Sequence, residues 1–416
     1  MTKININPKL LELEKQAQID LKDIFSQVDE VCAFNSRKIL EAFIRNRIAY
    51  ETFQEINGYG FFDSGRDKVE ALFADVLGAE DALVRPHIMS GTNAIWLTLS
   101  GLLHQGDTMI CLCGAPYDPL QNIIGTNGDS VHSLINNGVK YEQIELIGSD
   151  FDYCAIERRI RQGGVTLVEI QRSRGYSRRE GLDIAKIEKV CTLIKSIDPK
   201  VVIVADNCYG EMVETKEPTE VGVDVIAGSL MHNLGGGVAT SGGYIAGKAE
   251  LIHKIAERLT APCIAKDLGA NYNQHNKFLK GLFLAPQTVS GAVKTAIFTS
   301  YMLEKLGFTG ISPRYNTKRT DIVQTFDLGT QKNLERFCEG IQSASPIDSF
   351  ATPLPCEFPG YPHQEIMASG TFTSGSTIEL TCDAPVIEPY TVFMQGALTF
   401  DYGKLGVLNA ISRMLD

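Results

Sequence analysis

"VVIVADNCYGE", residues 201–211, starts as an uninterrupted run of apolar, mostly β-branched residues and ends in an acid, Asp206. A short apolar run closed by polar turn residues predicts a strand buried on both faces, the kind found in parallel sheets. Ligands of open α/β sheets gather beyond the carboxyl ends of such strands. Asp206 therefore occupies a position where a carboxylate can cap a helix, bind a metal or pair with a protonated ring nitrogen. The residue type alone leaves these three open.

Similar runs lie on either side: "ALVRP" (82–86), "DTMICLC" (107–113), "VTLVEIQ" (165–171), "DVIAGS" (224–229) and "GGYIAG" (242–247). Helical stretches such as "IAKIEKVCTLIKSI" separate several of them, and this alternation predicts a mostly parallel sheet covered by helices. Residues 8–55 repeat apolar positions at helical spacing, so 1–56 reads as an N-terminal helical arm and 57–314 as a large α/β domain. From 315 to 416 the order is a helix ("QKNLERFCEGIQ"), a proline-rich bend, strand-like "STIELTC" and a closing helix. That texture predicts a smaller α+β domain.

The chain has 416 residues, 44% of them hydrophobic and 21% charged, with a formal net charge of -11. This acidity disfavours binding to nucleic acid or anionic membranes and points to small-molecule ligands. The amino terminus has no apolar signal core, and no stretch approaches the ~18 apolar residues of a spanning helix, so a cytoplasmic location is expected. The ten cysteines form no C-x-x-C pair and read as buried reduced thiols.

Four stretches at strand ends can carry chemistry. Ser90, Gly91 and Thr92 open the apolar helix "NAIWLTLSGLL", where free N–H groups and hydroxyls suit a phosphate, although an ordinary helix cap has the same pattern. Tyr117 in "GAPYDPL" can stack on a planar ligand or fill a turn. Arg172 and Arg174 in "QRSRGYSRR" suit anionic groups or ordinary ion pairs. Asp206 completes the set. No G-x-S-x-G elbow and no strand-linked G-x-G-x-x-G is present.

In order along the chain, "GYGFFDSGRD", "GAEDALVRPHIMSGT", "GAPYDPL", "IQRSRGYSRR", "ADNCYGE", "AGSLMHNLGGGVATSGGYIAGK", "GLFLAPQTV" and "EPYTVFMQGALT" resemble the blocks of one family. It is the fold-type-I, pyridoxal-phosphate (PLP)-dependent Cys/Met-metabolism group, and within it the cystathionine β-lyase-like aluminum-resistance proteins related to methionine γ-lyase. The resemblance implies that Ser90, Gly91, Thr92 and Ser229 hold the PLP phosphate, that Tyr117 stacks on the ring and that Asp206 pairs with its nitrogen. It also implies that Tyr59 and Arg66 reach the phosphate of a neighbouring subunit, in a homodimer or homotetramer with sites at the dimer interface.

One block departs from the pattern. Where the family carries the lysine that forms the Schiff base with PLP, this chain has His232, and Leu234 replaces a proline. Ile387 replaces an arginine suited to a substrate carboxylate, and Asn93 and Gln287 replace histidines. An imidazole has no primary amine to link to PLP. Three readings follow. In the favoured one, PLP or its amine form binds non-covalently and His232, whose ordinary pKa is near ~6.5, is the acid/base for elimination on a small amine or amino-acid-like substrate. The others are a non-catalytic homologue that partners an active paralogue, and a cofactor-independent enzyme. Lys248 and Lys266 could in principle replace the missing amine, but both read as structural.

Overall fold

The computed structural model describes residue 4 and residues 6–55, 57–358 and 361–415. Its central seven-stranded sheet has the order β1-β7-β6-β5-β4-β2-β3. The strands are β1 (Asp81–Arg85), β2 (Thr108–Cys111), β3 (Lys140–Gln143), β4 (Leu167–Gln171), β5 (Val202–Asp206), β6 (Val225–Ser229) and β7 (Gly243–Gly247). β7 runs antiparallel to both neighbours, β1 and β6, and the other pairs are parallel. The strands expected from apolar runs are all present. β3 was not expected, because its sequence, Lys-Tyr-Glu-Gln, is that of a polar edge strand, charged where pairing ends.

Helices cover both faces. α4 (Gly91–Leu102), α5 (Asp118–Ile124) and α8 (Ala249–Leu259) pack with Met109, Leu167, Val204 and Val225 on one face. α3 (Ser64–Val76), α6 (Tyr153–Arg161), α7 (Ile184–Ile197) and the long α9 (His275–Lys305) pack with Ile110, Val168, Ile203 and Ile226 on the other. Successive strand residues point to opposite faces, so Gln171, Asp206 and Ser229, each the last residue of its strand, fall on the α4 side. This alternation collects the polar strand ends beneath the first turn of α4.

The amino-terminal arm comprises α1 (Pro8–Asp20) and α2 (Lys22–Arg45), and both helices contact α9. The second domain has an antiparallel sheet of order β10-β11-β12-β9-β8: β8 (Thr309–Ser312), β9 (Gln324–Asp327), β10 (Glu365–Ala368), β11 (Thr381–Pro385) and β12 (Thr391–Gln395). α10 (Gln331–Ser343) packs on β10 and β11 and against α11 (Phe400–Leu415). Because β8 pairs with β9, this domain starts before residue 315 and the expected boundary shifts back to the end of α9. The strand expected over "STIELTC" begins only at Thr381.

The glycine triplet after His232 serves packing. A Cβ at Gly236 (φ +55°) or Gly281 would come within 2.2 Å of the backbone oxygen of Gly281 or Gly235, respectively, so loop and α9 meet backbone to backbone. Of the ten cysteines, Cys154, Cys263 and Cys356 are exposed, which corrects the expectation that all are buried. No described helix is long and apolar enough to cross a membrane.

Candidate active site

At the carboxyl ends of β4, β5 and β6 lies a cavity of about 370 Å³. It is lined by Ser90, Gly91, Thr92, Tyr117, Asp206, Ser229 and His232 together, with Tyr361 and Gly375 contributed by the second domain. Its size is that of a small-molecule site. Ser90 caps α4, its Oγ accepting from the Asn93 N–H at 3.0 Å. The N–H groups of Gly91 and Thr92 belong to the first turn, which has no intrahelical acceptors, and the helix dipole favours an anion there. A Cβ at Gly91 would approach Cys208 Sγ to 3.0 Å and Ser229 Cβ to 3.3 Å, so glycine is what lets the helix end close on β6. Ser229 Oγ accepts from the Met231 N–H at 3.0 Å and keeps its own hydrogen to donate.

Tyr117 caps α5. Its hydroxyl lies 3.3 Å from Thr92 Oγ1, and its N–H donates to Gln171 Oε1 at 3.2 Å. Asp206 is 6% exposed and accepts from the Cys208 N–H at 3.1 Å. Burial pushes its carboxyl up to about 6. No cation among the described residues makes an ion pair with it, so a bound cationic group would hold it ionised.

His232 is partly buried, and its Nδ1 is enclosed with no hydrogen-bond partner. Its ring stacks on Tyr209, centroids 4.4 Å apart and planes 12° from parallel. Tyr209 adopts a left-handed backbone (φ 69°), held by Asn233 Nδ2, which donates to the carbonyls of Tyr209 and Glu211 at 3.1 and 2.8 Å. Burial pushes the imidazole down to about 4. It is therefore neutral at neutral pH, correcting the expectation of titration near ~6.5.

Other expected residues lie elsewhere. Arg172 is fully buried away from the cavity, paired with Glu214 at 3.2 Å and Glu217 at 3.4 Å, and donating to Asn207 Oδ1 at 2.8 Å. An ion-pair role replaces the anion-binding role expected of it. Arg174 is also fully buried and bound to Asp321 and Ser312, beside a second cavity that shares Tyr117 and Tyr176 with the first. Arg66 donates to the Gly58 and Gly60 carbonyls, each at 3.0 Å, and Tyr59 is exposed; neither lines this chain's own cavity. Lys248 pairs with Asp224 at 2.7 Å and Lys266 with Glu70 and Asp81, so neither places an amine in the cavity. Ile387 and Gln287 are exposed.

Several residues of the site were not singled out from sequence: Gln171, Tyr176, Tyr209 and Tyr361 line the cavity, and Glu169 lies within reach of the Asp206 charge. Glu169 is fully buried on β4 with neither carboxylate oxygen hydrogen-bonded, and burial, with Asp206 nearby, pushes it up to about 8. A charged residue inside the apolar run "VTLVEIQ" was the available signal. Tyr209 is three residues past Asp206, but its contact with His232 spans 23 positions and leaves no mark in either local sequence.

Comparison with known proteins places these observations in a family. The methionine gamma-lyase family profile matches residues 10–415. The uncharacterized protein YnbB of Bacillus subtilis is 39% identical over 402 residues, covering 96% of this chain and 95% of YnbB. A structure from Clostridium acetobutylicum, described as a candidate cystathionine beta-lyase involved in aluminum resistance, superposes with a TM-score of 0.94 at 43% identity, covering 99% of this chain and 96% of that one. The pyridoxal-5'-phosphate-dependent protein YhfS of Escherichia coli shares the fold, with a TM-score of 0.61 at 17% identity over 92% of this chain and 96% of that one.

Proposed function

On the premise that this chain belongs to the methionine gamma-lyase family, we propose that its cavity binds PLP or the amine form without a covalent link and that His232 moves a proton during elimination on a small amine-bearing substrate. The observation carrying this reading is the convergence of Ser90, Gly91, Thr92, Tyr117, Asp206, Ser229 and His232 on one cavity with no lysine in its lining. The residues fit the cofactor: the α4 terminus, Thr92 and Ser229 suit the phosphate, Tyr117 the ring face, and Asp206 the ring nitrogen. When bound, PLP supplies an electron sink next to the substrate carbon.

The chain's own residues do the rest. Asp206 lacks a cationic partner and is ionised most readily when one is supplied, which favours a protonated ring nitrogen. Stacking on Tyr209 fixes the His232 ring, and a neutral imidazole at neutral pH has a free lone pair to accept a proton.

A non-catalytic partner of an active paralogue is the competing reading, favoured by the low basicity of His232. Absorbance on titration with PLP separates the two. Non-covalent binding gives a cofactor spectrum shifted from that of free PLP, retained through rapid desalting, lost on extended dialysis and not fixed to the protein by borohydride; a spectrum identical to free PLP at saturation, with no cofactor retained on desalting, defeats the cofactor reading. In the His232→Lys variant, borohydride should fix PLP to residue 232. A folded variant that takes up no PLP points to a degenerate pocket.

A further inference from the structure

Away from the site just described, α2, α9, residues 212–215 and residues 316–319 enclose a separate cavity of about 510 Å³. Ile24, Val28 and Val31 of α2 line it at i, i+4 and i+7, and Val289, Val293 and Ile297 of α9 line it at i, i+4 and i+8. Each spacing keeps three apolar residues on one side of its helix, so two apolar stripes form the walls. The volume is that of a small-molecule site, and none of its lining residues belongs to the first cavity.

Arg319 belongs to this lining and is 6% exposed. Its guanidinium donates to Gln324 Oε1 at 2.6 Å and to the Val323 carbonyl at 3.5 Å, while Nε has no acceptor. Among the described residues it forms no ion pair: Asp321, Glu304 and Glu180 act on it only from beyond ion-pair distance, and the first two are paired with Arg174 and Arg314. Burial and the Arg174 charge push the guanidinium down to about 9, which leaves it charged at neutral pH. The one carboxylate in the lining, Glu214, is already matched by Arg172 at 3.2 Å and Lys318 at 2.5 Å. The lining therefore carries a surplus of positive charge. A buried guanidinium without a counter-ion is costly, and its planar fork suits a carboxylate.

We propose that this cavity is a second ligand site, which takes a small amphipathic anion: a carboxylate held by Arg319, with an apolar chain lying between α2 and α9. The apolar walls select the chain, and the unpaired cation selects the sign of the head group. This site stands apart from the cofactor reading of the first cavity, and each can fail without the other.

Calorimetric titration of the whole protein, with and without PLP, uses octanoate and octylammonium as probes of equal chain length and opposite charge. Octanoate should bind, with the same affinity whether or not PLP is present, and octylammonium should not. Arg319→Gln should weaken octanoate binding roughly tenfold or more, the loss of a charge-assisted hydrogen bond. Val28→Glu leaves Arg319 in place and sets a carboxylate in the cavity from the half-buried face of α2, so it should do the same with the wild-type melting temperature; it decides the matter if Arg319→Gln does not fold. The proposal is overturned if octanoate does not bind, if octylammonium binds as tightly, or if either folded variant keeps wild-type affinity. Competition between octanoate and PLP would assign the binding to the first cavity, and a fall in mass by light scattering on adding octanoate would assign this one to a second copy of the chain; either result also overturns it.

Discussion

His232 lines the cavity, and its environment sets what it can do. Burial holds the imidazole neutral down to about pH 4, whereas in the unfolded chain it protonates near ~6.5. Between those values the unfolded state binds the extra proton, so this residue's contribution to stability falls as the pH is lowered through the window. Relative to His232→Gln, the wild type should lose up to roughly 3 kcal/mol between pH 6.5 and 4, read from urea midpoints at a series of pH values. Glu169 works in the opposite direction: its folded pKa is raised to about 8, so its stabilisation is complete below the unfolded value near ~4.3 and is lost as the pH climbs to 8. Glu169→Gln should therefore gain on the wild type as the pH rises. A parallel pH dependence of the two proteins would refute burial as the cause.

At the scale of elements, the decisive contact is between the glycine loop and α9. Glycine to alanine inside a helix normally stabilises by about 1 kcal/mol. At Gly281 the added methyl would meet the Gly235 carbonyl at 2.2 Å, so Gly281→Ala should instead destabilise by roughly 1–3 kcal/mol in chemical denaturation. Because that loop carries His232, its PLP absorbance should weaken as well. The strands of the large sheet were legible in sequence because both their faces are buried and their residues are apolar throughout. β3 was not, since an edge strand in water needs no apolar run. The start of the second domain was misplaced for a similar reason: the half-exposed β8 (Thr-Gly-Ile-Ser) carries no strand pattern of its own, and only its pairing with β9 assigns it to that sheet.

Over the whole molecule, exposed aromatic residues gather in one turn and the loop bonded to it. Tyr59, Phe61 and Phe62 are 62%, 65% and 95% exposed, and the Gly269 N–H donates to the Tyr59 carbonyl, tying this turn to the 269–273 loop, where Tyr272 is 65% exposed. Such a patch suits burial against a second copy. Light scattering should give a mass of two chains or more, and Phe62→Ser should shift it toward one; a wild-type monomer would leave Tyr59 and Arg66 with no neighbouring site to reach. The sequence by itself determined the layered α/β architecture, the family and the set of chemical groups at the strand ends. It could do so because buried strands must be apolar and strand-end residues inherit their place from the strand. Only the tertiary structure decided which groups meet. Arg172, which suited either an anion or an ion pair, is buried and matched by two carboxylates, and His232 stacks on a tyrosine 23 residues away while burial lowers its basicity. Tyr361 and Gly375 face the cavity only because two domains close over it, and burial, charge and contact between residues distant in sequence are properties of the packed chain.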